Sequence, residues 1–299
     1  MTRRFFRPLW NVLRSPWNYL ATSVSRPFNQ IANTASILGL LVSLGALFTW
    51  QATIIPIVYL CLLSLFLLIR YMRQERWARY SESASILQRA YRHLQEASEC
   101  SLHGIENPDL FIERLRLSLD SFAQSFTLIT GSQCRACIAE VNVDTEIRPN
   151  RGSPLSPADI FVINIILRSG EQRWGPEKPQ PVAKNTDFLH ILQTGKPFFN
   201  NDLPMDFRKM EYENSKWDRN LLKTRDYPYR STIVWPISQS AAQLAGPSEL
   251  QPPLAFLCVD TKRVGAFKHV SDVPLGWCYA HAVYPVLRYL LPELDRQRE

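Results

Sequence analysis

Between Pro27 and Ile69 the chain contains no Asp, Glu, Lys or Arg, a 43-residue interval without formal charge. Acid is nearly as scarce around it. Residues 1–79 hold nine arginines and a single acid, Glu75, and carry +8, while the rest of the chain, at −1, brings the total to +7. A basic excess confined to one end, beside an uncharged run, excludes a nucleic-acid footprint spread over a folded domain and marks a membrane surface. No second C-x-x-C accompanies Cys134 and Cys137, and no P-loop, G-x-S-x-G, kinase or H-E-x-x-H pattern occurs. With 46% hydrophobic and 20% charged residues, the composition excludes a disordered acidic tail, a collagen-like fibre and a disulfide-dense mini-protein.

One bilayer span takes about 20 mostly apolar residues. The uncharged interval therefore predicts a two-helix transmembrane hairpin over residues 31–70, with helices near Ile31–Phe48 and Ile54–Ile69 and a polar turn at Thr49–Thr53. Pro56 falls in the first turn of the second helix, where its missing N–H costs little. Ser36, Gly39, Ser43 and Gly45 give the first helix a small-residue face. Arginines flank both outer ends and not the turn, which predicts a two-pass protein of a bacterial inner membrane with both termini cytoplasmic. A buried hairpin in a soluble core is the alternative, against which stands the lack of polar faces. Residues 1–30 read as a basic, aromatic interfacial segment meeting membrane lipid, with Phe5, Leu9, Val12, Leu13, Trp17, Leu20 and Val24 at helical spacing. An unstructured basic tail explains them equally well.

Residues 71–105 read as an amphipathic connecting helix. Trp77, Tyr80, Ala84, Leu87, Tyr91, Leu94 and Ser98 repeat at alternating three and four positions, a coiled-coil seam that a second copy of the chain would fill. The same face would also serve for packing on the helix's own domain. A second helix shows Phe111, Leu115, Leu119, Phe122, Phe126 and Ile129 along one side. The reading then turns strand-like, over Cys137–Val143, Ile160–Arg168, Pro197–Asn200, Arg230–Ile237 and Leu254–Asp260. A short helix, Asn185–Gln193, stops at Gly195, and a closing helix over Asp272–Leu291 is expected to be kinked or interrupted at Pro274 and Pro285. Residues 106–299 are thus an α+β domain.

The block Asn185–Asp202 resembles the helix, glycine turn and short strand of a GAF domain. Tyr229–Ile237 resembles that family's strand ending in a proline, and Leu254–Asp260, followed by Phe267, its hairpin partner. The resemblance spans about residues 108–292. It implies a six-stranded antiparallel sheet, terminal helices on one face that form a dimer contact, and a small-molecule pocket on the other. The family's cyclic-nucleotide signature and its bilin-type Cys-His pair are both absent, Cys278 being followed by Tyr279, so the resemblance names no cofactor. On the Tyr229–Ile237 strand, alternation groups Ser231, Ile233 and Trp235 apart from Arg230, Thr232 and Val234. The resemblance turns the Ser231 face to the pocket, with Asn200, Asp202 and Asp260 as polar contacts and Trp235 and Phe256 as apolar walls. Ordinary core packing by Trp235 and Phe256, and turn capping by Asp202, is the competing explanation.

Cys278 and His281 could in principle complete a metal site with Cys134 and Cys137, but no second C-x-x-C supports it. Positions three apart on a strand face opposite ways, so no metal and no redox centre is expected. The acids Asp144, Glu146, Glu211 and Glu213 suit solvated loops better than catalysis, and a non-enzymatic protein is expected. The leading expectation is a dimeric, membrane-anchored, cytoplasmic small-molecule sensor that relays a signal. The alternatives are a ligand-gated membrane-disrupting effector of the defence type and a ligandless scaffold recruiting a protein partner.

Overall fold

A computed structural model describes residue 39 and residues 50–102, 108–143, 160–170, 179–215, 217–218, 220–239 and 252–298. The expected interfacial segment and, Gly39 apart, the first expected span lie outside the described residues. The chain divides into two units, residues 1–78 and 79–299.

Helix α1 is Trp50–Leu102. Its stretch Ile54–Tyr71 has a mean hydropathy of 2.3 and none of it is buried in the protein, so side chains such as Leu62, Leu65 and Phe66 face outward. This is one apolar helix among the described residues, not the expected hairpin. The turn expected at Thr49–Thr53 is helical from Trp50 onward. No residue there demands a positive φ or lacks an N–H, so the helix has no local reason to stop. Pro56, in the helix's second turn, removes one backbone bond without ending it.

From residue 79 the α1 surface becomes selective. Ser83, Ala90, Leu94 and Ala97 are buried, while Ala84 is exposed. Ala90, Leu94 and Ala97 share one core with Phe111, Leu115, Leu119, Phe122 and Phe126 of α2, Pro108–Thr130. Of the expected seam, Leu94 is buried in this core and Leu87 and Tyr91 pack against it, within the chain's own domain. Ser118 on α2 ties the layers together: its hydroxyl donates to the Ala90 carbonyl at 2.7 Å, and the Tyr279 hydroxyl, also 2.7 Å away, donates to it in turn. Tyr80 adds a second tie by donating its O–H to Asp272.

Six strands come after α2: β1 Cys134–Val143, β2 Phe161–Arg168, β3 Gln180–Pro181, β4 Phe198–Asn200, β5 Ser231–Ile237 and β6 Ala255–Thr261. They form one sheet in the order β3-β2-β1-β6-β5-β4, antiparallel at every junction. This is the sheet that the GAF resemblance implies. The two-residue β3 has no counterpart among the expected strands, because two residues carry no periodicity. The remaining helices are α3 Thr186–Thr194, α4 Leu203–Arg208, α5 Asn220–Thr224 and α6 His269–Arg298. Gly195 ends α3 at φ 66°, as its position suggested. Helix α6 is not interrupted: it runs through Pro274, Pro285 and Pro292. Burial of Tyr279, Val283, Val286, Leu287 and Leu290 against the sheet outweighs the backbone bonds the prolines remove.

The sheet separates two apolar clusters. One joins α1, α2 and α6 to the face bearing Ile233, Trp235, Ile237, Leu257 and Val259. The other joins α3 to the opposite face, bearing Cys137, Ala139, Ile163, Val234, Phe256 and Cys258.

Candidate functional site

Strand register assembles the second face in rows. Arg135 pairs with Asp260, and Asp260 with Thr232; Arg168 pairs with Cys137, Cys137 with Cys258, and Cys258 with Val234. Because side chains alternate along a strand, each row presents its members side by side on one surface. Over this surface lies a cavity of about 180 Å³, lined also by Ile163, Ile165, Gln180, Asp187, Phe188, Asn214, Pro228 and Tyr229. One wall is the first turn of α3, and another is the segment entering β5.

Asp187 is the chemically distinctive member. It is 3% exposed, and its carboxylate accepts from the Phe188 N–H at 3.0 Å and from the Tyr212 hydroxyl at 3.3 Å. It has no ion-pair partner among the described residues. Burial raises its pKa from 3.8 to about 6, against the lowering effect of those hydrogen bonds. Tyr212 spends its one proton on Asp187, so the Tyr229 hydroxyl, 3.2 Å away, donates to the Tyr212 oxygen. The Asn214 amide donates to the same oxygen at 3.1 Å. Burial also pushes both phenols well above their ordinary range. A Tyr229–Tyr212–Asp187 relay of donors thus ends on a buried carboxylate at the cavity wall.

Two thiols form part of the floor. Cys137 and Cys258 are cross-strand partners, both buried, and their mutual hydrogen bond and burial hold the Cys258 thiol well above its usual range. Cys134 points to the other face of the sheet, its thiol pushed up to about 11 chiefly by burial. Among the described residues, no cluster of three His, Cys, Asp or Glu side chains is placed to hold a metal ion.

Of the residues picked from sequence, Asp260 lines the cavity, held by Arg135 at 3.2 Å. Phe256 lies on the same face and packs against Phe188 with ring centroids 4.7 Å apart. Ile233 and Trp235 lie on the opposite, helix-covered face, fully buried. Trp235 donates its indole N–H to the Val273 carbonyl at 2.8 Å and packs so closely on α6 that a Cβ on Gly276 would come within 2.1 Å of its ring. Ser231 Oγ lies 2.8 Å and 2.7 Å from the carbonyl oxygens of Asn201 and Arg263, closing two loops. Asn200 donates to Asp206 at 2.5 Å, and Asp202 caps α4 by accepting the Met205 N–H at 3.2 Å. The cavity therefore opens on the face of Thr232 and Val234 rather than that of Ser231. The residues missed from sequence are Asp187, Tyr212, Tyr229 and the Cys137–Cys258 pair. An Asp inside an otherwise apolar helical face, next to Phe188, was the available signal.

No family model matches the chain, and no curated protein does. Among solved structures, the chain is similar to the free methionine-R-sulfoxide reductase from Neisseria meningitidis in complex with its substrate, at 11% identity over 73% of this chain and 94% of that one, with a TM-score of 0.39. It is similar to the GAF domain of an Acinetobacter phosphoenolpyruvate-protein phosphotransferase at 10% identity, over 69% of this chain and 97% of that one, with a TM-score of 0.37. It is also similar to the GAF domain region of a putative membrane protein from Geobacter sulfurreducens PCA at 17% identity, over 62% of this chain and 97% of that one, with a TM-score of 0.32.

Proposed function

We propose that the chain is a membrane-anchored small-molecule sensor with a GAF-like cytoplasmic domain. The observation that carries this reading is the cavity beneath α3: it is lined by Asp187, Asn214, Thr232, Tyr229 and Asp260 together with apolar walls, the mixture that fixes the orientation of a small ligand. A polar lining that served only stability would more simply be replaced by packed apolar side chains, as it is on the helix-covered face. The anchor is the apolar stretch Ile54–Tyr71, and Arg70, Arg73, Arg76 and Arg79 at its end favour a cytoplasmic position for the sheet-bearing domain, in a bacterial inner membrane. The protein acts as a regulatory dimer rather than an enzyme, its second copy meeting exposed positions of α1 such as Trp77 and Ala84. Ligand binding shifts the dimer arrangement by differential affinity for its two states and passes the signal to a protein partner.

Native mass spectrometry of the full chain released from detergent, with extraction of anything bound, tests this reading. A stoichiometric small molecule that is lost when Thr232 and Val234 are replaced by bulkier residues supports it. A chain that retains no molecule and whose melting is unmoved by a metabolite panel refutes it.

A further inference from the structure

We infer that the cavity takes a small organic cation, a molecule whose protonated primary or secondary amine sits against Asp187. This rests on the sensor reading and narrows it. A carboxylate removed from water and left without a counter-cation is costly unless something else supplies the compensation, and such groups gather at binding sites. Asp187 is buried, lines the cavity and has three of its roughly four oxygen lone-pair directions occupied, by the Phe188 N–H, its own backbone N–H and the Tyr212 O–H. The direction left over accepts, as do those of Tyr229, whose own proton is committed to Tyr212. The site therefore offers acceptors and asks for donors. An ammonium group has three of them, in addition to the missing charge.

The cavity's cations do not reverse this preference. Arg135 already pairs with Asp260 at 3.2 Å and also donates to the Pro228 carbonyl, and Arg168 is likewise engaged within the protein. Arg135 is half exposed at the rim, whereas Asp187 lies at the buried wall. At about 30 Å³ for each water-sized group, 180 Å³ holds about six non-hydrogen atoms of a ligand, the pocket being open on one side. The apolar side of the pocket, Ile163, Ile165, Phe188 and Val234, suits a short hydrocarbon portion beside the amine.

Calorimetric titration of the full chain in detergent at pH 7.5 decides the matter, with alkylamines of three to six carbons and the free L-amino acids as probes and the matching alkyl carboxylates and alcohols as controls. The expected result is saturable binding of one or more amine-bearing probes, weakened about 30-fold or more by Asp187→Asn. Tyr229→Phe, which keeps the ring and its packing, weakens it several-fold. Should Asp187→Asn fail to fold, the Tyr229→Phe result and the discrimination between amine and carboxylate still decide. Binding of carboxylates or alcohols with no amine preference overturns the cation inference and leaves the sensor reading standing. Binding by none of the probe classes overturns the cation inference as well, while the sensor reading is decided by the mass spectrometry of bound molecules and the metabolite panel.

Discussion

Replacing Asp187 with Asn should make the unliganded protein more stable at neutral pH while weakening the amine binding proposed above. A carboxyl whose pKa rises from 3.8 in the unfolded chain to about 6 in the fold keeps its proton longer when folded. Between those values the folded state binds more protons, so stability falls as pH rises through the window and stays reduced above it. The full loss is about 3 kcal/mol. Asn removes that loss, but its amide N–H group needs an acceptor the Asp did not need, at about 1 kcal/mol. The net gain above pH 6 is about 1–2 kcal/mol, or roughly 2–8 °C in Tm for a domain of this size. Melting of the full chain in detergent, monitored by near-ultraviolet circular dichroism from pH 4 to 8, measures the difference between the two proteins. That difference should favour Asp slightly at pH 4, change sign as the pH rises towards 6, and level off in favour of Asn near pH 7. Other groups on the surrounding elements are common to both proteins. Tyr212, Tyr229 and Cys258 are pushed far above this range, and His190 on α3, lowered by burial and by Lys196, cancels in the subtraction. A pH-independent difference, or an Asn variant less stable throughout, would refute the assignment of Asp187 as a buried, uncompensated carboxylate.

The helix-covered face and the anchor yield further tests. Gly276→Ala drives a methyl group into the Trp235 ring and should cost about 1–3 kcal/mol or more, seen as a lower Tm and a shifted tryptophan emission. Tyr80→Phe removes the hydroxyl that donates to buried Asp272 and should cost about 1–3 kcal/mol, while ligand binding on the far face stays unchanged. Cys137 and Cys258 should resist iodoacetamide at pH 7.5 until the domain unfolds, whereas exposed Cys278 is alkylated quickly; rapid labelling of the buried pair, read by peptide mass mapping, contradicts their burial and the raised pKa of Cys258. Paired Leu62→Arg and Leu65→Arg changes should release the chain from membranes under carbonate extraction, since each arginine at mid-span costs about 3 kcal/mol, and retention would count against Ile54–Tyr71 as the anchor.

Where a structural feature repeats along the chain, the sequence alone determined it. The apolar character of Ile54–Tyr71, the Phe111–Ile129 stripe of α2, the five longer elements of the sheet and the Gly195 stop all derive from periodicity or from one residue's backbone freedom, which are local properties. Only the tertiary structure decided which side of the sheet is dry and which holds the cavity. Alternation divides Ser231, Ile233 and Trp235 from Thr232 and Val234 but cannot say which set meets the helices; that depends on α1, α2 and α6 all packing on one face. Trp235, the largest apolar residue of β5, belongs to that face because Gly276 leaves room for its ring. Asp187, Tyr212 and Tyr229 are 17 to 42 residues apart in sequence, and the Cys137–Cys258 pair is wider still, so no local pattern joins them. Cross-strand register and the docking of α3 bring them together, and removal from water then gives the carboxylate the properties that mark the site.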